Sequence, residues 1–288
     1  MLKRKPQVHS LNPLPKSKQK VTHPDVITLT FGDVAESHVG MEKLGTPTTP
    51  LTVQQLQRLH KLIPESKLHI LNGALPSTMV AEEAAILVLP NMLSTVFPTN
   101  EDRKELKESL LQCEWDKKAR MRGRVVTKRA RYNLVFGDTS QDPVVEEGKG
   151  RVIAFNTLPE LAHLRKWCEN VVDLVSPHGP EDAKPKALFA EGNFYFHSKA
   201  GIGFHGDAER NIVIGVRIGG PLSLVYQWYH RSTPIGKLVE FSLNDGDIYI
   251  MSGKAIGSDW KKSSLVTLRH AAGASKYTHP PPKKVAKS

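Results

Sequence analysis

The sequence predicts an α+β protein, with helices and short strands mixed through its first two thirds and an antiparallel sandwich or barrel in its last third. Three observations lead there. From Ala187 onward, seven short segments of period two follow one another at spacings of about 8–12 residues, with turn-forming residues between them. Upstream, two segments place apolar residues at helical spacing. The chain of 288 residues is 39% apolar, enough for a sizeable core. Its apolar runs, such as AAILVLP, fall well short of the ~20 residues of a membrane span, and MLKRKPQVHS has no apolar stretch behind it to make a secretory leader. With only Cys113 and Cys168, a disulfide framework and an all-cysteine zinc site are excluded. An intracellular setting, nucleus or cytoplasm, is the expectation.

In chain order, residues 1–23 are Pro- and Lys-rich without periodicity and read as a disordered basic tail. Residues 24–115 form a mixed region of unknown role. VITLTFGD (26–33) is a strand. TVQQLQRLHKLI (52–63) is a helix capped by Thr52, with Val53, Leu56, Leu59 and Ile63 on one face. EEAAILVL (82–89) is buried and of ambiguous type. NEDRKELKESLLQCEW (100–115) opens with Asn100 as cap and acids in its first turn, so a helix is expected. RVVTKRARYNLVFGD (124–138) reads as one strand, LPELAHLRKWCENVVDLV (158–175) as an amphipathic helix, and SPHGPEDAKP (176–185) as a loop. The seven strands after Ala187 are ALFAEGNFYF, GIGFH, NIVIGVRIG, LSLVYQWYH, KLVEFSL, DIYIMSG and SLVTLRH. In the fourth, Tyr226, Trp228 and Tyr229 read as sheet residues of the core. Residues 278–288 read as a second basic tail.

Charge is unevenly spread. The formal net charge is +11, and residues 1–23 and 276–288 together hold ten basic residues and no acid. The interior run KKARMRGRVVTKRAR (117–131) adds eight basic residues and no acid. A solvated face is one reading of that run. Its neighbours Tyr132 and Phe136 favour a nucleic-acid partner, DNA or RNA.

The sharpest local feature is GFHGDAE. On a strand, residues two apart share a face, so His205 and Asp207 aim at one point, as two metal ligands do. A third ligand from a distant strand would complete a two-histidine, one-carboxylate face, the arrangement of non-haem iron(II) oxygenases. A surface pair is the plain alternative. The glycines of GIGFHG lack the third spaced glycine and following helix of a dinucleotide loop. Glu36 and His38 in FGDVAESHVG read as a structured loop rather than a second metal site.

The order N193-F-Y195, nine residues, then H205-G-D207-A-E209, a later Gly246-Asp247 turn and a closing V-T-L-R269 resembles the AlkB family of iron(II)- and 2-oxoglutarate-dependent dioxygenases. The resemblance covers roughly 117–273. It implies a double-stranded β-helix (jelly-roll) core over 116–277 with flanking helices, using iron(II), 2-oxoglutarate as cosubstrate and O2, and oxidising (demethylating) a nucleic-acid base. By that resemblance His205 and Asp207 bind iron, Asn193 and Tyr195 bind 2-oxoglutarate, Arg269 takes its carboxylate, and Glu209 contacts the target base. Arg129 and Arg131 on the basic run would hold substrate. One departure stands out: the segment KAIGSDWKKSS, where the family has its second histidine, contains none. His270 is then the third ligand, with Asp259 or water as alternatives. If Arg269 and His270 share a strand they face opposite sides, so Lys276 or Arg217 could replace Arg269 at the cosubstrate. An oxygenase acting on a protein or small molecule, and an inactive nucleic-acid-binding module on the same fold, remain open.

Overall fold

A computed structural model describes residues 25–176 and 187–281. The expected tail at 1–23, nearly all of the loop at 176–185 and the end of the second tail lie outside the described residues. The described residues form sixteen strands and six α-helices, in keeping with the expected α+β class. In order these are β1 Val26–Gly32, β2 Val34–Glu36, β3 Lys43–Gly45, α1 Val53–Leu62, β4 Lys67–Ile70, β5 Ala85–Leu89, α2 Leu93–Val96, α3 Asn100–Gln112, β6 Lys118–Met121, β7 Arg124–Thr127, β8 Tyr132–Gly137, β9 Val152–Ala154, α4 Pro159–Val175, β10 Phe189–Tyr195, β11 Gly201–His205, β12 Ile214–Ile218, β13 Leu222–His230, β14 Thr233–Leu243, β15 Ile248–Met251, α5 Gly253–Ile256, β16 Val266–Gly273 and α6 Ser275–Thr278. No helix among them is long and apolar enough to cross a membrane.

All seven strands expected after Ala187 form, and the ambiguous 82–89 segment is strand β5. The two upstream helices follow their apolar spacing. Thr52 caps α1 through a capping box with Gln55, satisfying two end groups reciprocally. Pro159 opens α4, where its fixed φ suits the first turn and its missing N–H costs nothing. Two local expectations change. Thr99, not Asn100, caps α3, its hydroxyl accepting from the Asp102 N–H at 3.1 Å. The strand expected over 124–138 is two, β7 and β8, and the basic run forms the hairpin β6–β7, turned at Arg122 and Gly123, both at positive φ as in a type I′ two-residue turn.

Two sheets organise the molecule. The larger has the order β4-β5-β15-β12-β1-β10-β8-β9, antiparallel except for the β8–β9 pair. The smaller has the order β11-β16-β13-β14, antiparallel throughout. Period two divides the larger sheet. Ile27, Leu29 and Phe31 of β1, with Val216 and Ile218 of β12 and Ile248 and Ile250 of β15, pack against α1, α3 and α4. Ile86, Val88, Tyr249 and Met251 point the other way and meet Leu224, Tyr226, Trp228 and Leu243 of the smaller sheet. Helices, large sheet and small sheet are thus three layers. At one end the gap between the sheets is apolar; at the other it opens into a cavity.

The boundary expected near residue 115 does not divide this structure. β1 lies in the middle of the larger sheet, antiparallel to β10 on one side and β12 on the other, and β4 and β5 extend its edge. Residues 25–115 are therefore part of the same layers as the strand-rich segment. Strand pairing between residues some 170 apart leaves no local mark in a sequence, which is why the two regions look independent there.

Candidate metal centre

The cavity between the sheets has a volume of about 800 Å³. Its large-sheet wall is a polar row. In register across three strands stand Asn193 on β10, Thr28 on β1 and Arg217 on β12, with Asn133 of β8 beyond Asn193. Asn193 Oδ1 accepts from Arg131 Nε at 2.5 Å and from Asn133 Nδ2 at 2.8 Å. Tyr195, Glu191 and Tyr249 belong to the same wall.

The small-sheet wall carries His205 and His270. They are paired directly opposite each other on β11 and β16, after one extra residue in β11 between Ile202 and His205 shifts the register. Directly opposed residues in an antiparallel pair share a face, and here both face the cavity. Asp207 follows on the turn after β11, its N–H donating to the Ile256 carbonyl at 3.0 Å. Gly206 makes this turn possible: a Cβ there would stand 2.0 Å from the Gly257 carbonyl oxygen.

One ligand atom from each of His205, Asp207 and His270 lies within 4.8 Å of the others. Asp207 Oδ1 is 3.5 Å from His205 Nε2 and 3.7 Å from His270 Nε2. Two atoms each about 2.1 Å from one ion lie roughly 3.0 Å apart at right angles and 3.6 Å at 120°, so the two Asp207 distances are ones a shared ion allows. His205 Nδ1 is 2.8 Å from the Gly203 carbonyl, a contact that leaves Nε2 facing Asp207. His270 is held neutral by burial, with His205 and Arg210 adding positive charge nearby. Its Nδ1 is buried without a well-formed hydrogen bond, and the Ala255 carbonyl is the group that favours a proton there.

Around this centre Arg210 is 4% exposed. Its Nη2 donates to Glu191 Oε2 at 2.5 Å and Glu209 Oε1 at 2.8 Å. Burial opposes its charge, but Glu191, Asp207 and Glu209 together hold its pKa above the ordinary value. Glu36 faces the cavity from β2, its carboxyl pushed up by burial and by Glu209 and Glu191, although the Gly40 N–H at 2.8 Å relieves it in part. The loop after β2 brings His38, Val39, Gly40 and Met41 to the rim.

Of the residues expected from sequence, the structure gathers His205, Asp207, His270, Asn193, Tyr195, Glu209 and Arg131, with the alternative Arg217, around one cavity. Glu209 lines it while paired to Arg210. Four others are not there. Arg269 sits on the opposite face of β16 from His270, its guanidinium 4.1 Å from the Tyr229 ring and 5.3 Å from the Trp260 ring. Lys276 is exposed on α6 over the Tyr277 ring, and Arg129 is exposed beside the hairpin. Asp259 is engaged by Lys254 at 2.6 Å, away from the metal donors. Sequence reasoning missed Thr28 and Thr30 on β1, and Trp260, and it read Glu36 and His38, which also line the cavity, as a structured loop. The alternation of Thr28 and Thr30 with Leu29 and Phe31 was the available signal for the first two.

No protein-family model matches the chain. It is 42% identical over 259 residues to "Uncharacterized protein R156" of Acanthamoeba polyphaga mimivirus, a match that spans 88% of this chain and 97% of the viral protein.

Proposed function

The chain belongs to the family of that mimivirus protein, and we propose that it acts as an iron(II)- and 2-oxoglutarate-dependent oxygenase, AlkB-like, on a nucleic-acid base. One observation carries the reading: His205, Asp207 and His270 present three convergent donor atoms into a cavity with polar walls. Two imidazoles and a carboxylate on one side of an ion leave its other positions open for a cosubstrate and dioxygen.

The strand order supports a jelly roll. From β10 onward the chain alternates between sheets, with β10, β12 and β15 in the larger and β11, β13, β14 and β16 in the smaller. The two four-stranded sheets are then β10-β1-β12-β15 and β11-β16-β13-β14. Seven of the eight strands run in sequence, and β1 takes the eighth place, between β10 and β12.

The residues present fit the implied groups. His205, Asp207 and His270 would hold the metal, and Asn193 and Tyr195 stand where the resemblance puts cosubstrate contacts. When bound, the metal with 2-oxoglutarate and dioxygen supplies the oxidation: one oxygen atom enters a substrate C–H bond while 2-oxoglutarate becomes succinate and carbon dioxide. An N-methyl group so hydroxylated leaves as formaldehyde. The protein's own contribution is position and shelter. Glu209 offers a polar atom to a base in the cavity, and Tyr249, its phenol pushed up to about 12 by burial, stays neutral and can donate a hydrogen bond. A duplex base reaches such a cavity only when flipped or single-stranded.

The nucleic-acid part rests on the hairpin. Lys117, Lys118, Arg120, Arg122 and Arg124 are exposed, and none makes a salt bridge among the described residues. The hairpin adjoins the rim: Lys128 Nζ reaches the Ser37 carbonyl at 3.5 Å, and Arg131 joins the cavity wall. The test is succinate release from 2-oxoglutarate by the iron-loaded protein, with N-methylated single-stranded oligonucleotides set against methylated peptides. Release stimulated by the oligonucleotides and abolished by Asp207→Ala is expected. Stimulation by peptides alone would move the substrate to protein, and no release with either would remove the oxygenase reading.

A further inference from the structure

We propose that Arg217, supported by Thr28, is the group that grips the distal carboxylate of 2-oxoglutarate in this chain, in place of an arginine on the last strand. This rests on the oxygenase reading above and chooses Arg217 over Lys276, the two alternatives to Arg269 that the sequence left open. Three observations carry it.

Arg269 cannot serve while His270 faces the metal site. Neighbours on a strand point to opposite faces, and Arg269 is stacked between Tyr229 and Trp260 with one Nη donating to the Trp260 carbonyl at 3.1 Å. Nor does a further strand follow β16 among the described residues; the chain turns into α6. The place beside β10 and β12 is taken by β1, which presents to the cavity not a cation but Thr28.

Directly across from Thr28 is Arg217. It is 1% exposed and lines the cavity. Its guanidinium donates to Thr28 Oγ1, its Nε has no hydrogen-bond partner, and it makes no salt bridge among the described residues. The nearby acid, Asp247, is occupied elsewhere, its two oxygens accepting from the Asn91 and Asn244 N–H groups. A buried guanidinium with no carboxylate is costly to keep, and a planar fork of donors facing a cavity suits a carboxylate held in bidentate fashion. The threonine hydroxyl can accept from the guanidinium and donate its own proton to the same carboxylate.

The test is an anaerobic titration of the metal-loaded protein with 2-oxoglutarate, read by its charge-transfer absorbance and by calorimetry, so turnover is not needed. Arg217→Met should raise the 2-oxoglutarate Kd roughly tenfold or more, as expected for loss of a charged hydrogen-bonded pair. Titration with the metal alone should be unchanged. Thr28→Val, which keeps shape and removes the hydroxyl, should weaken binding in the same direction and serves if Arg217→Met does not fold. Arg269→Met should bind as the parent does. Parent-like affinity in folded Arg217→Met and Thr28→Val, or loss confined to Arg269→Met, overturns the assignment while leaving the oxygenase standing. A parent protein that binds metal but no 2-oxoglutarate overturns both.

Discussion

Lys128, just past β7, is 8% exposed, and burial pulls its pKa down to about 8 despite Asp116 nearby. The unfolded chain, with an ordinary lysine near 10.5, binds that proton more tightly. Stability should therefore rise as pH climbs from about 8 to about 10.5, where the unfolded chain still holds the proton and the folded protein has shed it. The full penalty, present below pH 8, is about 3 kcal/mol. Lys128→Met should remove this rise, so that the gap between variant and parent in urea unfolding narrows between pH 7 and 10; a constant gap would mean the amine is not desolvated. At this scale much of the site was legible. His205 and Asp207 two apart on a strand, and Asn193 and Tyr195 upstream, could be found from spacing because a strand's geometry is fixed. Arg217 carried a weaker signal, a charge inside the apolar strand NIVIGVRIG. What spacing could not decide was which of Arg269 and His270 faces inward, since alternation requires only that they differ. The pairing of His205 with His270 across a one-residue bulge decides it.

Among the elements, the β6–β7 hairpin carries the electrostatic argument. Its basic composition was evident, but its conformation was not, because the turn depends on a left-handed Arg122, which an Arg-Gly pair signals weakly. Each exposed cation that meets a phosphate releases a counterion. Replacing Arg120, Arg122 and Arg124 by Ala should therefore reduce the salt dependence of single-strand binding by about 2 in log–log slope. Affinity at low salt should fall across all sequences alike, as fluorescence anisotropy would show. An unchanged slope would place the nucleic acid elsewhere or remove it. The helices were the most legible elements, since Thr52 and Pro159 mark starts whose physics is local. The strands after Ala187 were nearly as clear. β1 was recognised as a strand, but its partners could not be known: both lie beyond residue 188.

For the molecule as a whole, the N-terminal strands are structural necessities of the strand-rich layers. Removing residues 1–45 would expose the facing edges of β10 and β12 and uncover Leu134, Leu164 and Val216 in the core they share with Ile27, Leu29 and Phe31. Such a truncation should fail to give a cooperative thermal transition. A folded, soluble fragment from 46 onward would contradict the single-sheet description. The same placement of β1 puts Thr28 beside Arg217 and Glu36 at the cavity, so the region without a legible role in sequence supplies one wall of the site. The assembled centre itself is open to one direct measurement: the visible absorption of the anaerobic protein after addition of iron(II) and then 2-oxoglutarate. A weak charge-transfer band that appears only with both, and is lost in His205→Ala and in His270→Ala, is the expected result. Well-folded parent protein that takes up iron yet gives no band, or a band that survives both substitutions, would contradict it.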